Sequence, residues 1–137
     1  MKYFSTAFCY GLALAALSLG SVHAENDKEQ QMYNMRKKVV ESNLYVFKNM
    51  FDLYKKDTSA YPTNEQGFKV LLENPLHGPA AAKWKGPYMK EIPVDPWQHA
   101  YHYQLKADGK IEISSTGRDG KPGGDGMDKD IKLSDFE

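Results

Sequence analysis

The strongest constraint on the fold is a stripe of apolar residues whose spacing alternates between four and three positions. The stripe comprises Val40, Leu44, Phe47, Phe51 and Tyr54. An α-helix places such residues on one face, so the spacing predicts an amphipathic helix from about Glu29 to Lys56. Four more apolar residues widen the predicted face: Met32, Met35, Val39 and Met50. The opposite face mixes both charge signs and has no tryptophan, which favours packing on a core over lying on a membrane.

A capping box predicts a second, shorter helix. The Thr63 hydroxyl can accept a hydrogen bond from a backbone N–H, while the Gln66 side chain can reach back to the N–H of Thr63. Apolar residues follow at helical spacing, and Pro75 ends the pattern. We therefore predict a helix from Asn64 to Glu73.

An irregular but ordered segment is predicted next. Residues 74–97 hold five of the chain's seven prolines and both tryptophans. Prolines at this density exclude regular structure, yet exposing so many aromatic rings to water would be costly. The segment is expected to be anchored on the domain by Trp84, Tyr88 and Trp97. After it, residues 101–105 and 110–114 alternate with period two around a turn at residues 107–109, which predicts a β-hairpin.

The start of the chain has the layout of a secretory signal peptide. Lys2 precedes an apolar run from Ala7 to Leu19, and Val22 and Ala24 suit the −3 and −1 positions of a cleavage site. The run is shorter than the roughly 20 residues of a membrane span, so an uncleaved anchor is the weaker alternative. The sequence predicts a signal peptide over residues 1–24 and export of the rest.

The predicted export and the composition of the chain exclude several kinds of site in the mature protein. A lipoprotein signal needs a cysteine just after the apolar run, whereas Cys9 lies near its start. Cleavage would remove this only cysteine, leaving residues 25–137 as one domain without a thiol in an oxidising compartment. The formal net charge of the chain is zero. It therefore has no broad basic field for nucleic acid.

The segment STGRDGKPGGDGMDKD, residues 115–130, combines glycines and acids in a way that suits a calcium ion. Calcium takes six to eight oxygen ligands, and glycines let backbone carbonyls turn inward. The candidate carboxylates are Asp119, Asp125, Asp128 and Asp130. The EF-hand pattern fails because Lys121 and Gly123 occupy its third and fifth positions, and calcium-binding β-helix nonapeptides work in tandem copies. On composition alone, a flexible acidic tail is an equal alternative.

Three stretches of the sequence are specific in combination: YPTNEQGFKVLLENP, WKGPYMKEIPVDPW with the following YHYQL, and STGRDGKPGGDGMDKDI. Together they resemble the major pseudopilin of the type II secretion system, the G subunit. The resemblance implies an α+β, pilin-like fold, in which a long N-terminal helix packs on a small antiparallel β-sheet and a C-terminal loop holds calcium. The ligands that the resemblance implies are the Thr116 carbonyl, the carboxylates of Asp119, Asp128 and Asp130, and a carbonyl at Gly124 or Asp125.

The N-terminus departs from this family. A pseudopilin starts with a short basic leader and a glycine, then a phenylalanine-threonine-leucine run and a glutamate, with an apolar anchoring helix of about 20 residues behind them. This chain instead has the pattern that predicts a secretory signal at that place, and residues 26–38 are too polar to replace the helix. The expected product is a monomeric pilin-like domain, soluble in the periplasm or released outside the cell.

The expected function is that of a calcium-stabilised binding protein associated with type II secretion, in an accessory or assembly role. Its partners would be secretion-system components or exported proteins, with no nucleic acid and no stable membrane insertion. The alternative is an exported calcium-binding module no longer connected to secretion.

An enzyme is not expected. His99 and His102 are three residues apart, and on a strand such residues point to opposite faces, so they would not readily share a metal. Ser114 and Ser115 have no recognisable histidine and acid partners in the sequence. Asp95, followed by Pro96 and Trp97, is better explained as a turn than as a catalytic acid.

Overall fold

The computed structural model describes residues 10–137, with side chains from residue 21 onward. The described residues form two α-helices, α1 (Tyr10–Thr58) and α2 (Lys69–Leu72), and three strands, β1 (His102–Leu105), β2 (Ile111–Ser115) and β3 (Ile131–Lys132). Short 3₁₀ helices, Gly126–Asp128 and Leu133–Asp135, flank β3. Residues 1–9, the beginning of the predicted signal peptide, lie outside the described residues.

The chain divides into two units, one ending at Met35 and the other running from Arg36 to Glu137. In the first, residues 10–35 are helical, and the side chains of residues 21–32 are exposed. The helix therefore begins well before Glu29, where the sequence pattern placed its start. Residues 10–28 are rich in alanine and leucine and contain no proline, so the backbone favours a helix there without an apolar stripe to mark it.

The core of the second unit confirms the predicted stripe. Its five residues are each at most 1% exposed. They pack on apolar side chains from α2, the residue before β1, the sheet and the C-terminus: Val70, Leu71, Tyr101, Ile111, Ile113, Ile131 and Leu133. Aromatic rings join the layers, with centroids 4.9 Å apart for Phe47 and Tyr101 and 4.6 Å apart for Phe51 and Tyr103. This is the expected α+β arrangement of a long helix on a small antiparallel sheet.

The buried face of α1 is narrower than predicted. Val39 is 50% exposed although it neighbours fully buried Val40. Successive helical residues are about 100° apart, so Val39 lies at the margin of the face that meets the sheet. In the first unit, Met32 and Met35 are exposed as well.

The predicted capping box forms, but the helix after it is short. The Thr63 N–H donates to Oε1 of Gln66 over 2.9 Å, and the Gln66 N–H donates to Oγ1 of Thr63 over 3.3 Å. Gly67 then adopts a φ of +45°, which lies outside the right-handed helical region. Helical geometry is interrupted there, and the predicted helix from Asn64 to Glu73 is reduced to the four residues of α2.

Residues 74–97 contain no helix or strand, as predicted, and are held to the domain by hydrogen bonds. Trp84 Nε1 donates to the Val70 carbonyl over 2.8 Å, and the Tyr88 hydroxyl donates to the Asp57 carboxylate over 2.9 Å. Trp97 packs against the core as a half-buried ring. The three predicted anchors therefore all contact the domain.

The sheet is antiparallel in the order β1-β2-β3. Strands β1 and β2 form the predicted hairpin, with Tyr103 opposite Ile113. At the outer edge of β1, the Leu105 N–H donates to Oδ1 of Asn64 over 2.6 Å, and Nδ2 of Asn64 donates back to the Leu105 carbonyl over 3.4 Å. The third strand was not predicted from the sequence. It has only two residues, too few for a periodic signal, although buried Ile131 and Leu133 alternate with exposed Lys132.

Candidate metal-binding loop

The loop of residues 116–130 is closed at its base by the sheet. Strand β2 ends at Ser115, and Ser115 pairs with Ile131 at the start of β3. The two ends of the loop therefore leave from adjacent positions on neighbouring antiparallel strands.

Close backbone contacts fold the loop back on itself. Gly117 and Gly124 have φ values of +67° and +72°, which an L side chain rarely adopts. A Cβ at Gly124 would lie 2.4 Å from the Asp128 carbonyl oxygen, and one at Gly117 would lie 2.7 Å from that of Lys129. The Asp130 N–H also donates to the Gly123 carbonyl over 2.9 Å. These contacts give the segment a folded backbone, in contrast to the acidic-tail alternative.

The carboxylates inside the loop have different partners. Oδ1 of Asp119 accepts from the Lys121 N–H over 3.0 Å, in a turn at the exposed rim of the loop. Oδ1 of Asp130 accepts from the Gly123 N–H over 3.0 Å, across the loop. Both bonds fix loop backbone.

Asp128 is paired with a cation of the same loop. Arg118 Nε lies 2.7 Å from its Oδ1, and Arg118 Nη2 lies 3.2 Å from its Oδ2. The hydrogen bonds from Arg118 hold the pKa of Asp128 below the ordinary value of 3.8, against a smaller opposing effect of burial.

The remaining candidate ligands differ in their exposure to solvent. Thr116 is buried at the base of the loop, whereas Gly124 and Asp125 are exposed at its far side. Among the described residues, no three carboxylate, imidazole or thiol side chains lie close enough together to hold a metal ion. The structure thus places all the predicted ligand residues in one folded loop, but it does not gather their side chains around one point.

A buried polar network supports the base of the loop, and the sequence did not reveal it. The Asp95 side chain is 1% exposed. Its Oδ1 accepts from the N–H groups of Trp97 and His99 over 2.9 Å each, and its Oδ2 accepts from the Ser115 hydroxyl over 2.6 Å. Asp95 therefore forms the expected turn, but it also joins that turn to the end of β2, twenty residues later. The aspartate–proline pair signalled only the turn.

His99 and Ser115 carry this network into the loop. The Ser115 Oγ accepts from the Gly117 N–H over 3.1 Å, and the His99 Nδ1–H donates to the Gly117 carbonyl over 3.1 Å. The imidazole also lies against Gly120, where a Cβ would come within 2.6 Å of Nε2. His99 thus contacts the loop backbone, while His102 lies in β1 with an exposed side chain.

Comparison with known proteins places this fold in a family. Residues 28–134 match the family model of type II secretion system protein G. The chain belongs to the type II secretion system protein G family. The match covers most of α1, residues 74–97, the sheet and the loop of residues 116–130.

Individual protein G relatives agree with this assignment. The type II secretion system core protein G of Vibrio cholerae is 35% identical over 100 residues, which are 70% of this chain and 68% of that protein. The core protein G of Pseudomonas aeruginosa is 34% identical over 120 residues, 86% of this chain and 80% of that protein.

A solved pseudopilin structure also matches. The major pseudopilin from the type 2 secretion system of enterohaemorrhagic Escherichia coli superimposes with a TM-score of 0.63 at 28% identity, covering 79% of this chain and 90% of that one. These matches favour the secretion-system interpretation over an unconnected calcium module. Among the helical residues that the structure describes, none forms a stretch both long and apolar enough to cross a bilayer.

Proposed function

We propose that this protein G family member acts outside the cytoplasm as a soluble subunit of type II secretion, in an accessory or assembly role. The observation that carries the proposal is the family match over residues 28–134, which extends through the core and the closed loop. The signal-peptide pattern of residues 1–24 and the exposed, polar residues 25–31 support a soluble product. Its partners are other secretion-system components or exported proteins, bound by the domain of residues 25–137.

We further propose that the loop of residues 116–130 binds calcium. The donors fit a hard cation because they are all oxygens: backbone carbonyls at Thr116 and at Gly124 or Asp125, and the carboxylates of Asp119, Asp128 and Asp130. A tight turn brings Gly124 close to the Asp128 carbonyl, and the side chain of any larger residue at this position would occupy the space beside that carbonyl oxygen. When bound, the ion supplies positive charge that offsets repulsion among the loop acids.

The roles of the chain's own residues follow from their positions. Ser115 and His99 fix both backbone groups of Gly117, and so constrain the adjacent Thr116 carbonyl. Asp119 and Asp130 hold backbone N–H groups of the loop through one carboxylate oxygen each. The loop is therefore prepared at its base, while its carboxylates must converge as the ion enters.

Calcium binding is tested by thermal unfolding in chelator and in millimolar calcium. An ion that binds the folded chain at ten to a hundred times its dissociation constant stabilises it by roughly 1.4–2.7 kcal/mol. The melting temperature should then rise by several degrees in a domain of this size. Asp119→Ala should lose most of this increment, whereas Asp108→Ala, in the hairpin turn, should keep it. Equal melting temperatures of the wild-type protein in both conditions would reject the calcium site.

The secretion role is tested in the source bacterium. Deleting the gene should change the amount of type II-secreted protein in the medium, and the affinity-tagged chain should capture a secretion-system component from periplasmic extract. A complementing copy restores the wild-type level. Unchanged secretion together with no such capture would reject the proposed role without bearing on calcium binding.

A further inference from the structure

The Arg118–Asp128 pair is a two-point contact between a guanidinium and a proposed calcium ligand. The Nε–Oδ1 and Nη2–Oδ2 distances of 2.7 and 3.2 Å engage both oxygens of the carboxylate. The planar fork of arginine matches a carboxylate in this geometry, which a lysine ammonium cannot reproduce. The pair spans the loop, joining its first turn to the short 3₁₀ helix that ends at Asp128.

The charges of the loop determine how strongly this contact affects the binding of another cation. Residues 116–130 contain four acids and three bases, so little of their negative charge is left unbalanced. Because Arg118 covers both carboxylate oxygens, Asp128 cannot turn toward another cation without breaking this pair. An arginine left beside a bound divalent ion would also repel it at short range.

We propose that Arg118 is an internal counter-ion that competes with calcium for Asp128 and thereby raises the calcium concentration at which the loop becomes occupied. This inference rests on the calcium site proposed above. At low calcium the guanidinium neutralises Asp128 and helps to hold the loop closed. Calcium entry separates Arg118 from Asp128, so the apparent affinity is the intrinsic affinity reduced by the equilibrium of the ion pair.

The variants Arg118→Ala, Arg118→Lys and Lys121→Ala separate this competition from a general charge effect. The pair is partly exposed, with Arg118 and Asp128 side chains 40% and 36% accessible, so a change of only about two- to fivefold in affinity is expected. Arg118→Ala should bind calcium tighter by that factor in calorimetric titration, and its melting temperature in chelator should fall by about one to a few degrees. Arg118→Lys should lie between Arg118→Ala and the wild-type protein.

Lys121→Ala is the matched control because it removes the same charge from the same loop and leaves the N–H that Asp119 accepts. Equal tightening by Arg118→Ala and Lys121→Ala would show a general charge effect and overturn the competition. Unchanged or weaker binding by Arg118→Ala would also overturn it, with the wild-type calcium site intact. If Arg118→Ala binds calcium and the wild-type protein does not, the counter-ion role of Arg118 is supported and calcium binding by the wild-type loop is rejected. If neither Arg118→Ala nor the wild-type protein binds calcium, both the calcium site and the counter-ion role are rejected.

Discussion

Removing the Asp95 carboxylate should destabilise the domain more than any exposed acid can. In the structure this buried side chain accepts from Ser115 Oγ at 2.6 Å and from two backbone N–H groups at 2.9 Å each. Hydrogen bonds to a charged acceptor contribute roughly 1.5–3 kcal/mol each, and a buried donor that loses its acceptor costs about 1–3 kcal/mol. The separate contributions overlap, so we expect Asp95→Ala to lower the free energy of unfolding by about 3–5 kcal/mol.

A double-mutant cycle with Ser115 measures the shared part. Ser115→Ala removes the hydroxyl that donates to Asp95 and accepts from the Gly117 N–H, for an expected loss of about 1.5–2.5 kcal/mol. Since both single variants break the same hydrogen bond, the double variant should cost about 1–2 kcal/mol less than their sum.

The assay is urea unfolding in chelator of the wild-type protein, the two single variants and the double variant. Each transition is followed with two probes to test two-state behaviour. Asp108→Ala is the control: its carboxylate is exposed and accepts a local bond from the Lys110 N–H, so the change should stay within about 0.5 kcal/mol. A loss below about 1 kcal/mol for Asp95→Ala, or additive effects of Asp95→Ala and Ser115→Ala, would refute the reasoning that this network supports the loop.

Three further expectations can be checked independently. The protein should be recovered in the soluble periplasmic fraction, where mass spectrometry should find its N-terminus at Glu25, and Ala24→Leu should slow processing; an intact Met1 in the membrane fraction would contradict this. Analytical ultracentrifugation at micromolar concentration should show a monomer or a small oligomer, and filaments would contradict it. Burial acts to raise the pKa of Glu112, but hydrogen bonds from Lys106 and Ser134 together outweigh burial and hold it below the ordinary 4.5. The stability from Glu112 should therefore be full above pH 4.5 and fall as the pH drops through the lowered pKa, and Glu112→Gln should flatten that acid limb in pH-dependent urea unfolding.

Periodicity allowed the hydrophobic core to be predicted, because burial on one helix face repeats at a fixed interval. Val40 and Tyr54, at the two ends of the stripe, are both buried as expected. The breadth of the face and the length of the second helix were not predictable in the same way. They depend on where the sheet meets α1 and on the positive φ of Gly67.

The candidate site was predictable only in composition. The acids and glycines of residues 115–130 marked the loop, yet its closure by the pair of Ser115 with Ile131 depends on a strand too short to give a pattern. The contacts of Asp95 with Ser115 and of Arg118 with Asp128 join residues twenty and ten positions apart. Nothing local in the sequence identifies such partners, because the fold alone brings them together.

The Asn64 side chain affects whether another molecule of this protein can pair with the edge of the sheet. An open strand edge is a template on which another chain can add a strand, the first step toward domain swapping and fibrils. By offering both an acceptor and a donor to Leu105, the Asn64 amide supplies the contacts that one residue of an intruding strand would make. The opposite edge belongs to β3, which has only two residues. Within the part of the chain that the structure describes, neither side of the sheet presents a long row of open backbone groups, so each edge is a short template for an added strand.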